Sequence, residues 1–370
     1  MFRRTHSVKN ILFITNSLGF GGAEKMLTFV ANSLSERGHG VDIVNLNGVP
    51  GYVNEHKRAV SEGITITEMS GMSRKDQILK IRKIAKEISA DVIIGFTEIP
   101  NAMARIAGFS LGIPSIMSER GDPIRTGVGV GIKNSLVLKL INTSRGGVFQ
   151  TDGARKFYGR GLQKRGVVIP NPIFITGEVP SVPYEKREKS VVSVGRLDNF
   201  QKRYDVMLDA FKLFSDRHPD YVLKLYGRGS DEDLIKQWVD ERDLADKVRF
   251  MGLTTQPMQD IAHDGMFLIT SDFEGISNSL LEAMAIGLPC VSTDHTPGGA
   301  RLLITDYENG LLAPIEDASA LASAMCEFAE NPELAKKCGE NARDVVNRFA
   351  PERIIDMWES YILKLIKKKH

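Results

Sequence analysis

The chain has 370 residues and a mass of 40.9 kDa, a length that favours two domains. Hydrophobic residues make up 42% and charged residues 25%, which is ordinary globular usage and excludes disordered and fibrous classes. The three cysteines form neither a disulfide framework nor a metal-ligand pattern, and no run of about 18 apolar residues could span a membrane. We therefore expect a cytoplasmic protein.

Charge is distributed unevenly along the chain. Residues 1–172 contain 24 Lys and Arg against 13 Asp and Glu, a net of +11, whereas residues 173–370 contain 24 against 33, a net of −9. This asymmetry favours an anionic partner for the first half. Electrostatic attraction between the two halves is the alternative explanation.

Strand and helix patterns alternate through the first half. NILFIT (10–15) predicts a buried strand, followed by a glycine-rich turn and a helix over 23–37. The later patterns predict strands at 41–46, 91–96, 114–119 and 147–151, with helices at 76–89 and 101–110.

A Pro- and charge-rich stretch, 178–189, predicts an exposed linker, after which the alternation restarts. The patterns predict strands at 190–195, 221–227, 248–252, 266–271, 289–293 and 310–314, and helices at 204–217, 231–243, 279–287, 317–329 and 331–348. This order indicates an α/β fold of two doubly wound parallel sheets in series, separated by a cleft. In such sheets ligands bind outside the carboxyl ends of the strands.

Two glutamates with seven residues between them form the strongest motif. Glu274 follows a predicted strand, and Glu282 lies about one turn into the next, otherwise apolar helix. An ionised Glu in a buried helix is costly unless it is satisfied, and a carboxylate can accept both hydroxyls of a sugar diol. For Glu282 alone, a capping box with Ser279 as N-cap is the structural alternative.

Two cations stand at the first strand of the second half. Arg196 leaves the carboxyl end of that strand, and Lys202 precedes the helix over 204–217. Cations at a strand end and a helix start suit a diphosphate, although an exposed loop position is the alternative for Lys202.

The first strand ends in the turn Leu18-Gly-Phe-Gly-Gly-Ala-Glu24. Glu24 replaces the third glycine of the dinucleotide fingerprint, which argues against a nicotinamide or flavin site. Gly21 and Gly22 instead allow the backbone to approach a phosphate or sugar closely.

Together these motifs resemble glycosyltransferase family 4 over nearly the whole chain. The elements that carry the resemblance are GGAE (21–24), GRL…K (195–202), the paired glutamates and PGGARLLI…ENGLL (297–312). The resemblance implies the GT-B fold, with two Rossmann-like domains facing a central cleft. It implies an acceptor-binding domain at 1–172, a nucleotide-sugar-binding domain at 173–350, and a last helix, 351–370, that packs back on the first domain. It also implies a retaining hexosyltransferase that needs no metal.

The resemblance assigns roles by position in this sequence. Arg196 and Lys202 would hold the donor diphosphate, Glu282 the ribose hydroxyls and Glu274 the transferred sugar, so that Arg196, Lys202 and Glu274 are the catalytic candidates. The other donor-binding positions that it implies are Gly21, Gly22, Arg249, Phe250, Gly252, Gly275, Ile276, Ser277, Asn278 and Ser279.

The sequence departs from the family pattern at two places. Thr97-Glu98 stands where many members have a donor-contacting His, and Arg203 replaces the Gly that usually follows the Lys. Ser118-Glu119-Arg120 followed by Asp122-Pro123 is similar to a subgroup that builds lipid-linked oligosaccharides and surface polysaccharides. The acceptor candidates are therefore Glu98, Glu119 and Arg120, with a plain loop salt bridge as the alternative for the last two.

Three other features suggest chemistry of a different kind. Asp231-Glu-Asp233 matches a metal-binding pattern of other sugar transferases, but acids at the start of a helix also stabilise its dipole. His263 ends a short predicted helix, and His295 lies in the loop before PGGAR and is a candidate for lining the cleft.

The expected reaction moves a sugar from a nucleoside diphosphate sugar, taken as UDP-sugar on family frequency, to a hydroxyl of a polyprenyl-pyrophosphate-linked glycan. A sugar-nucleotide epimerase and a non-catalytic nucleotide-sugar-binding homologue are the alternatives.

Basic residues and the apolar run SLVLKLI (135–141) predict peripheral attachment to the inner face of an anionic membrane. Packing of that run in the protein core is the alternative. The basic residues concerned are Lys133, Lys139, Arg145, Arg155, Lys156, Arg160, Lys164, Arg165, Lys364 and Lys367–Lys369.

Overall fold

The computed structural model of the chain describes residues 8–19, 22–48, 60–125, 127–129, 131–175 and 177–367. The chain divides into two compact units. Unit 1 contains the residues up to Pro170 together with those from Glu352 onward, and unit 2 contains Asn171–Pro351. Gly21, Lys368 and Lys369, to which the sequence assigned roles, lie outside the described residues.

Unit 1 is built on a seven-stranded parallel sheet in the order β3-β2-β1-β4-β5-β6-β7. Its strands are β1 (Asn10–Thr15), β2 (Gly40–Asn45), β3 (Thr65–Glu68), β4 (Val92–Phe96), β5 (Ser115–Glu119), β6 (Gly146–Phe149) and β7 (Val167–Val168). Its helices are α1 (Gly22–Glu36), α2 (Arg74–Glu87), α3 (Glu98–Leu111), α4 (Gly131–Ile141), α5 (Asp152–Phe157) and α6 (Arg160–Arg165), with α16 (Pro351–Lys367) added from the end of the chain.

The last helix joins the core of unit 1 because one of its faces is apolar. Trp358 is fully buried and stacks on Phe96 of β4 at a ring separation of 5.8 Å. At the rim, Arg37 pairs with three carboxylates of α16, the nearest being Glu359 at 2.6 Å. Burial of the apolar face and this ion network hold the C-terminal helix on unit 1.

Unit 2 repeats the architecture with a six-stranded parallel sheet in the order β10-β9-β8-β11-β12-β13. Its strands are β8 (Ser190–Val194), β9 (Val222–Tyr226), β10 (Val248–Gly252), β11 (Met266–Ile269), β12 (Cys290–Thr293) and β13 (Leu311–Ala313). Its helices are α7 (Asn199–Lys202), α8 (Tyr204–Arg217), α9 (Glu232–Glu241), α10 (Pro257–Asp260), α11 (Asn278–Ala285), α12 (Gly299–Leu303), α13 (Ala318–Glu330), α14 (Pro332–Ala342) and α15 (Val345–Arg348), and a short 3-10 turn spans Tyr184–Lys186.

Both sheets reverse their strand order once, between β1 and β4 in unit 1 and between β8 and β11 in unit 2. This is the doubly wound arrangement, and it confirms the predicted fold class of two Rossmann-like α/β domains. At such a reversal the loops that follow the two neighbouring strands diverge to opposite faces and leave a crevice at the carboxyl edge of the sheet. The fold therefore marks one candidate ligand-binding edge in each unit.

Candidate active site

In unit 2 the crevice lies between the loops that follow β8 and β11. Arg196 and the short helix α7 follow β8, and the segment from Ser271 to Ser277 follows β11. The structure thus brings Lys202, the last residue of α7, to the same edge as Glu274, although 72 residues separate them in sequence.

Lys202 and Glu274 form an ion pair through Nζ and Oε1. Both side chains are largely buried, with 17% and 10% of their surfaces exposed. Ser271 donates a second hydrogen bond to the same carboxylate oxygen at 3.0 Å. The Glu274 carboxylate is therefore satisfied inside the protein rather than by water.

Backbone contacts fix this pair in place. Thr270 donates from Oγ1 to the carbonyl oxygen of Lys202 at 2.8 Å, and Gln201 donates from its amide to the carbonyl of Phe273 at 3.0 Å. The backbone N–H of Asp272 donates back to the carbonyl of Gln201 at 3.1 Å. A Cβ on Gly195 would lie 3.3 Å from Cε of Lys202, so glycine leaves room for the lysine stem.

The electrostatics of Glu274 follow from its neighbours. Burial alone would raise the pKa of the Glu274 carboxyl, but the charges of Lys202 and His295 and the hydrogen bonds from Lys202 and Ser271 bring the pKa below its usual value. Burial lowers the pKa of His295, and the charge of Lys202 lowers it further. Sequence patterns did not single out Ser271, because a lone serine after a strand carries no local signal.

Glu282 is a half-buried residue of α11, and its neighbours Leu281 and Ala283 in that helix are buried. The helix begins after Ser277, whose Oγ accepts from the backbone N–H of Leu280 at 3.4 Å. The capping-box alternative, with Ser279 as N-cap, is therefore wrong: the cap lies two residues earlier and Glu282 is too far into the helix to complete it.

The segment between the two glutamates contains both half-buried and buried residues. Gly275, Asn278 and Ser279 are half-buried, whereas the side chains of Ile276 and Ser277 are buried. The backbone comes very close to α12 here, since a Cβ on Gly299 would collide with the carbonyl oxygen of Gly275. Because the side chains of Ile276 and Ser277 are buried, these two residues can contact a ligand only through their backbone groups.

Arg196 is exposed over 65% of its side chain and pairs with Asp198 at 2.7 Å. Gly252 ends β10, and its carbonyl accepts from the backbone N–H of Gly227 at 2.7 Å, at the carboxyl edge of the sheet. Arg249 and Phe250 lie earlier in β10, and the Phe250 ring faces Lys236 of α9 at 5.4 Å. The structure brings Gly252 to the edge that holds Arg196 but does not bring the Arg249 and Phe250 side chains there.

In unit 1 the matching crevice lies after β1 and β4. Gly22 is the first residue of α1, and Asn16 donates from its amide to Oγ1 of Thr97 at 3.2 Å. Thr97 has a left-handed φ of 73°, a conformation that costs a β-branched residue on the order of 1–3 kcal/mol. The following residue, Glu98, opens α3.

Two buried oxygens in this crevice, Oδ1 of Asn16 and Oε1 of Glu98, have no hydrogen-bond partner within the described parts of the chain. Burial raises the pKa of Glu98, and a hydrogen bond from the backbone of Gly129 partly opposes the rise. Buried polar atoms without partners indicate a place where a polar ligand or water binds.

Glu119 and Arg120 are both buried at the end of β5. Glu119 accepts from the hydroxyl of Tyr158 at 2.5 Å and from the backbone N–H groups of Arg120 and Gly121. Arg120 donates to Ser118 at 3.0 Å and lies over the Trp358 ring at 5.5 Å. Burial lowers the pKa of Arg120 to about 9 and raises that of Glu119. Both side chains are engaged by the protein's own groups.

One residue of the acidic pattern Asp231-Glu-Asp233 has a structural role. Asp231 precedes α9, and its carboxylate accepts from the backbone N–H of Asn199 at 2.7 Å. Within the described ranges, the one group of His, Cys and acidic side chains with metal-ligand proximity is His218, Cys326 and Glu330. It lies at the C-terminal end of α8, which leads into the amino end of β9, and Arg217 already pairs with Glu330 at 2.6 Å.

Comparison with known proteins finds a family match within unit 2. Residues 178–345 match the family model for glycosyl transferases group 1. This segment is thus similar to group 1 glycosyltransferases. It contains Arg196, Lys202, Glu274 and Glu282.

Relatives extend the similarity over both units. The chain is 26% identical over 363 residues to an uncharacterized glycosyltransferase of Haemophilus influenzae, covering 95% of this chain and 98% of that protein. It is 25% identical over 362 residues to the Campylobacter jejuni enzyme GalNAc-alpha-(1->4)-GalNAc-alpha-(1->3)-diNAcBac-PP-undecaprenol alpha-1,4-N-acetyl-D-galactosaminyltransferase, covering 96% and 98%. The fold matches the crystal structure of Anabaena HepE in complex with UDP, with a TM-score of 0.78 and 19% identity over 95% of this chain and 98% of that one. The fold is thus that of GT-B glycosyltransferases.

Across the described helices, none combines the length and apolar character needed to cross a membrane.

Proposed function

We propose that the protein is a retaining glycosyltransferase that moves a sugar from a nucleoside diphosphate sugar, UDP-sugar in particular, to a hydroxyl of a lipid-linked glycan. The observation that carries the proposal is the buried Lys202–Glu274 pair at the strand-order reversal of unit 2, within the segment similar to group 1 glycosyltransferases. A sugar-nucleotide epimerase would need acid and base side chains on both faces of the sugar. The crevice of unit 2 instead pairs its carboxylate with a lysine.

Lys202 and Arg196 are the groups suited to the donor diphosphate. Arg196 is exposed and its partner Asp198 is its near neighbour, so its guanidinium can turn to a phosphate at little cost. The backbone of Lys202 is fixed by the hydrogen bond that its carbonyl accepts from Thr270. The ammonium is held by its ion pair with Glu274, so it can turn to a phosphate while the backbone stays in place. Electrostatic stabilisation of the departing diphosphate by these cations would supply much of the rate.

Glu282 and Glu274 are the groups suited to the sugars of the donor. Glu282 is a half-buried carboxylate between buried apolar residues of α11 and would accept the ribose hydroxyls. Glu274 would accept hydroxyls of the transferred sugar. In the proposed reaction the acceptor oxygen bonds to the anomeric carbon on the face that the diphosphate leaves, and the acceptor proton passes to a diphosphate oxygen. No divalent metal is required.

The acceptor side of the proposal rests on unit 1. The buried oxygens of Asn16 and Glu98 without partners indicate a polar ligand at the carboxyl ends of β1 and β4. The printed name of the Campylobacter jejuni relative describes an undecaprenol-linked acceptor. We therefore propose a polyprenyl-pyrophosphate-linked glycan and a role in surface polysaccharide or glycoconjugate synthesis. Glu119 and Arg120 would shape this site without serving as its main acceptor contacts, because both are buried, Glu119 is bound to Tyr158 and Arg120 is bound to Ser118.

An exposed, basic face of unit 1 supports attachment to the inner face of an anionic membrane. In α4, Ile132 and Leu136 are 85% and 60% exposed, while Ile141 is buried in the core. The C-terminal end of α4 adjoins α6, since Arg165 donates to the carbonyl of Asn142 at 3.1 Å. Lys133, Lys139, Lys156, Arg160 and Lys164 are exposed on α4, α5 and α6. Apolar side chains beside cations suit an interfacial helix.

The donor reaction is tested first with binding. Uridine, guanosine and adenosine diphosphates are compared by thermal shift, and the expected result is a rise in melting temperature with uridine diphosphate. Nuclear magnetic resonance of the product of the stabilising sugar nucleotide then reads the anomeric configuration. Retention supports the proposal, and inversion or conversion of the donor to an epimer overturns it.

A further inference from the structure

His295 lies directly behind Glu274 at the carboxyl edge of unit 2. The backbone N–H of Glu274 donates to the carbonyl of Thr296 at 2.7 Å, and the N–H of Thr296 donates to the carbonyl of Asp272 at 3.2 Å. These bonds run the His295–Thr296 segment alongside the turn that carries Glu274. His295 is 1% exposed, so its imidazole is surrounded by protein and has almost no contact with solvent.

The two ring nitrogens of His295 are buried polar atoms with little hydrogen bonding. Neither Nδ1 nor Nε2 makes a well-formed hydrogen bond within the described part of the chain, although the backbone of Thr296 lies close enough to favour a protonated ring. A buried polar group without a partner costs on the order of 1–3 kcal/mol, so such groups call for an explanation. The packing of the described residues thus leaves both ring nitrogens of His295 available to a hydrogen-bond partner.

The charges around the ring oppose one another. Glu274 and Asp294 favour the protonated ring, whereas burial and the ammonium of Lys202 favour the neutral one. Asp294 is itself bound to Arg301 of α12, with Nε to Oδ1 at 2.7 Å. While Lys202 remains on Glu274, the balance keeps the ring of His295 neutral, because its pKa is lowered.

We propose that His295 is a positioning residue that takes over the carboxylate of Glu274 when Lys202 turns to the donor diphosphate, and that it takes up a proton in doing so. The inference rests on the proposed function, in which Lys202 binds that diphosphate. A proton from solvent bonds to a ring nitrogen, and the resulting N–H donates to Glu274; no other bond changes.

Two physical reasons require such a donor. A carboxylate that is nine-tenths buried cannot lose its cation without a large penalty unless another donor replaces it. In addition, the diphosphate brings negative charge close to the site, and a nearby opposite charge favours the charged form of an imidazole. Glu274 is thereby held in one orientation toward the sugar while Lys202 serves the leaving group.

Isothermal titration calorimetry measures this proton directly. Uridine diphosphate, or guanosine or adenosine diphosphate if only that one stabilises the protein, is titrated at about pH 7 in buffers of low and high ionisation enthalpy. The wild type is compared with His295→Gln, which retains a hydrogen-bond donor but cannot take up a proton. The terminal phosphate of the nucleotide itself titrates near pH 6, and its contribution cancels in the difference between the two proteins.

The expected result is that the wild type takes up a larger fraction of a proton than His295→Gln. Its affinity should also strengthen more steeply as the pH is lowered from about 8 to about 6. Equal proton uptake in the two proteins overturns the inference. Failure of the wild type to bind any of the three nucleotides would instead overturn the proposed function.

A second variant keeps the inference testable if His295→Gln does not fold. In ligand-free Lys202→Met the cation that suppresses ring protonation is gone, so the His295 resonance in a proton nuclear magnetic resonance titration should move at a higher pH than in the wild type. A midpoint that is unchanged or lower shows that Lys202 and His295 are not coupled through Glu274, and overturns the inference.

Discussion

The guanidinium of Arg203 donates from Nη1 to Oδ2 of Asp272 at 2.7 Å, from a backbone that is left-handed, with φ at 53°. Glycine adopts this conformation without strain, and glycine is the residue that the family pattern leads one to expect here. The arginine instead uses the position to bind Asp205 and Glu316 as well as Asp272. Ion pairs of the Arg203 side chain therefore stabilise a turn in which glycine would supply only an unstrained backbone.

We expect Arg203→Gly to destabilise the protein despite the relief of backbone strain. Without Arg203 the buried carboxylate of Asp272 loses its ion pair, which costs on the order of 3–5 kcal/mol of stability. Glycine adopts the left-handed conformation without strain, which stabilises the protein by about 1–2 kcal/mol. The net loss should be about 2 kcal/mol in the free energy of unfolding, measured by urea denaturation. The double variant Arg203→Gly with Asp272→Asn should recover much of it. Equal stability of Arg203→Gly and the wild type would show that the network contributes nothing.

Glu282→Ala should weaken binding of the donor nucleotide by about 10- to 100-fold, the loss expected for hydrogen bonds to a charged group. The fold should survive, because Ser277 rather than Glu282 caps α11. Affinity is measured by calorimetry with uridine diphosphate. Asp317→Ala is the control, because it removes the cap of α13 and costs about 1 kcal/mol in stability without touching the site. Similar affinities of the two variants would remove Glu282 from the nucleotide site.

Lys202→Ala should lower kcat more than it raises KM, because the charge on the diphosphate oxygen grows as the bond to the sugar breaks. Loss of one such stabilising group typically reduces turnover by about 100- to 1,000-fold. Initial rates of sugar transfer at several donor concentrations separate the two constants. Lys212→Ala on the exposed face of α8 is the matched control. An effect confined to KM would make Lys202 a ground-state contact only.

Transfer activity should persist in excess chelator. The cations in the unit 2 crevice that suit a diphosphate are Arg196 and Lys202, and Asp231 is already bound to the backbone of Asn199. The measurement is the rate of sugar transfer before and after chelation, with magnesium or manganese added back. If activity disappears with chelator and returns with either ion, Asp231 and Asp233 become metal ligands and the proposed mechanism is wrong.

The protein should cosediment with liposomes that contain anionic lipid at low salt, and release from them at high salt. Each cation near such a surface contributes about 1 kcal/mol, so reversal of two of them should weaken binding on the order of 100-fold or more. Lys133→Glu with Lys139→Glu on α4 tests the proposed face. Lys75→Glu with Lys86→Glu on α2 makes the same charge change elsewhere in unit 1. Equal binding of both double variants, or of the wild type to neutral liposomes, would contradict attachment through α4.

Local patterns alone predicted most elements of the fold. The strand over 248–252 and the helix over 204–217 have the predicted bounds. Such patterns work because burial of one face imposes a period on the sequence within each element. The strand β3 was not predicted, since it lies at the sheet edge, is short and is only partly buried, which leaves little alternation to detect.

By itself, the sequence determined the order of strands and helices, the two-domain α/β class and the spacing that sets Glu274 and Glu282 at one turn and its helix. Only the tertiary structure decided that Lys202 binds Glu274, that His295 lies enclosed behind that pair and that Ser277 caps α11. The physical reason is the range of the interactions involved. Periodicity and spacing act within a few residues, whereas these contacts depend on which loops the strand order places side by side.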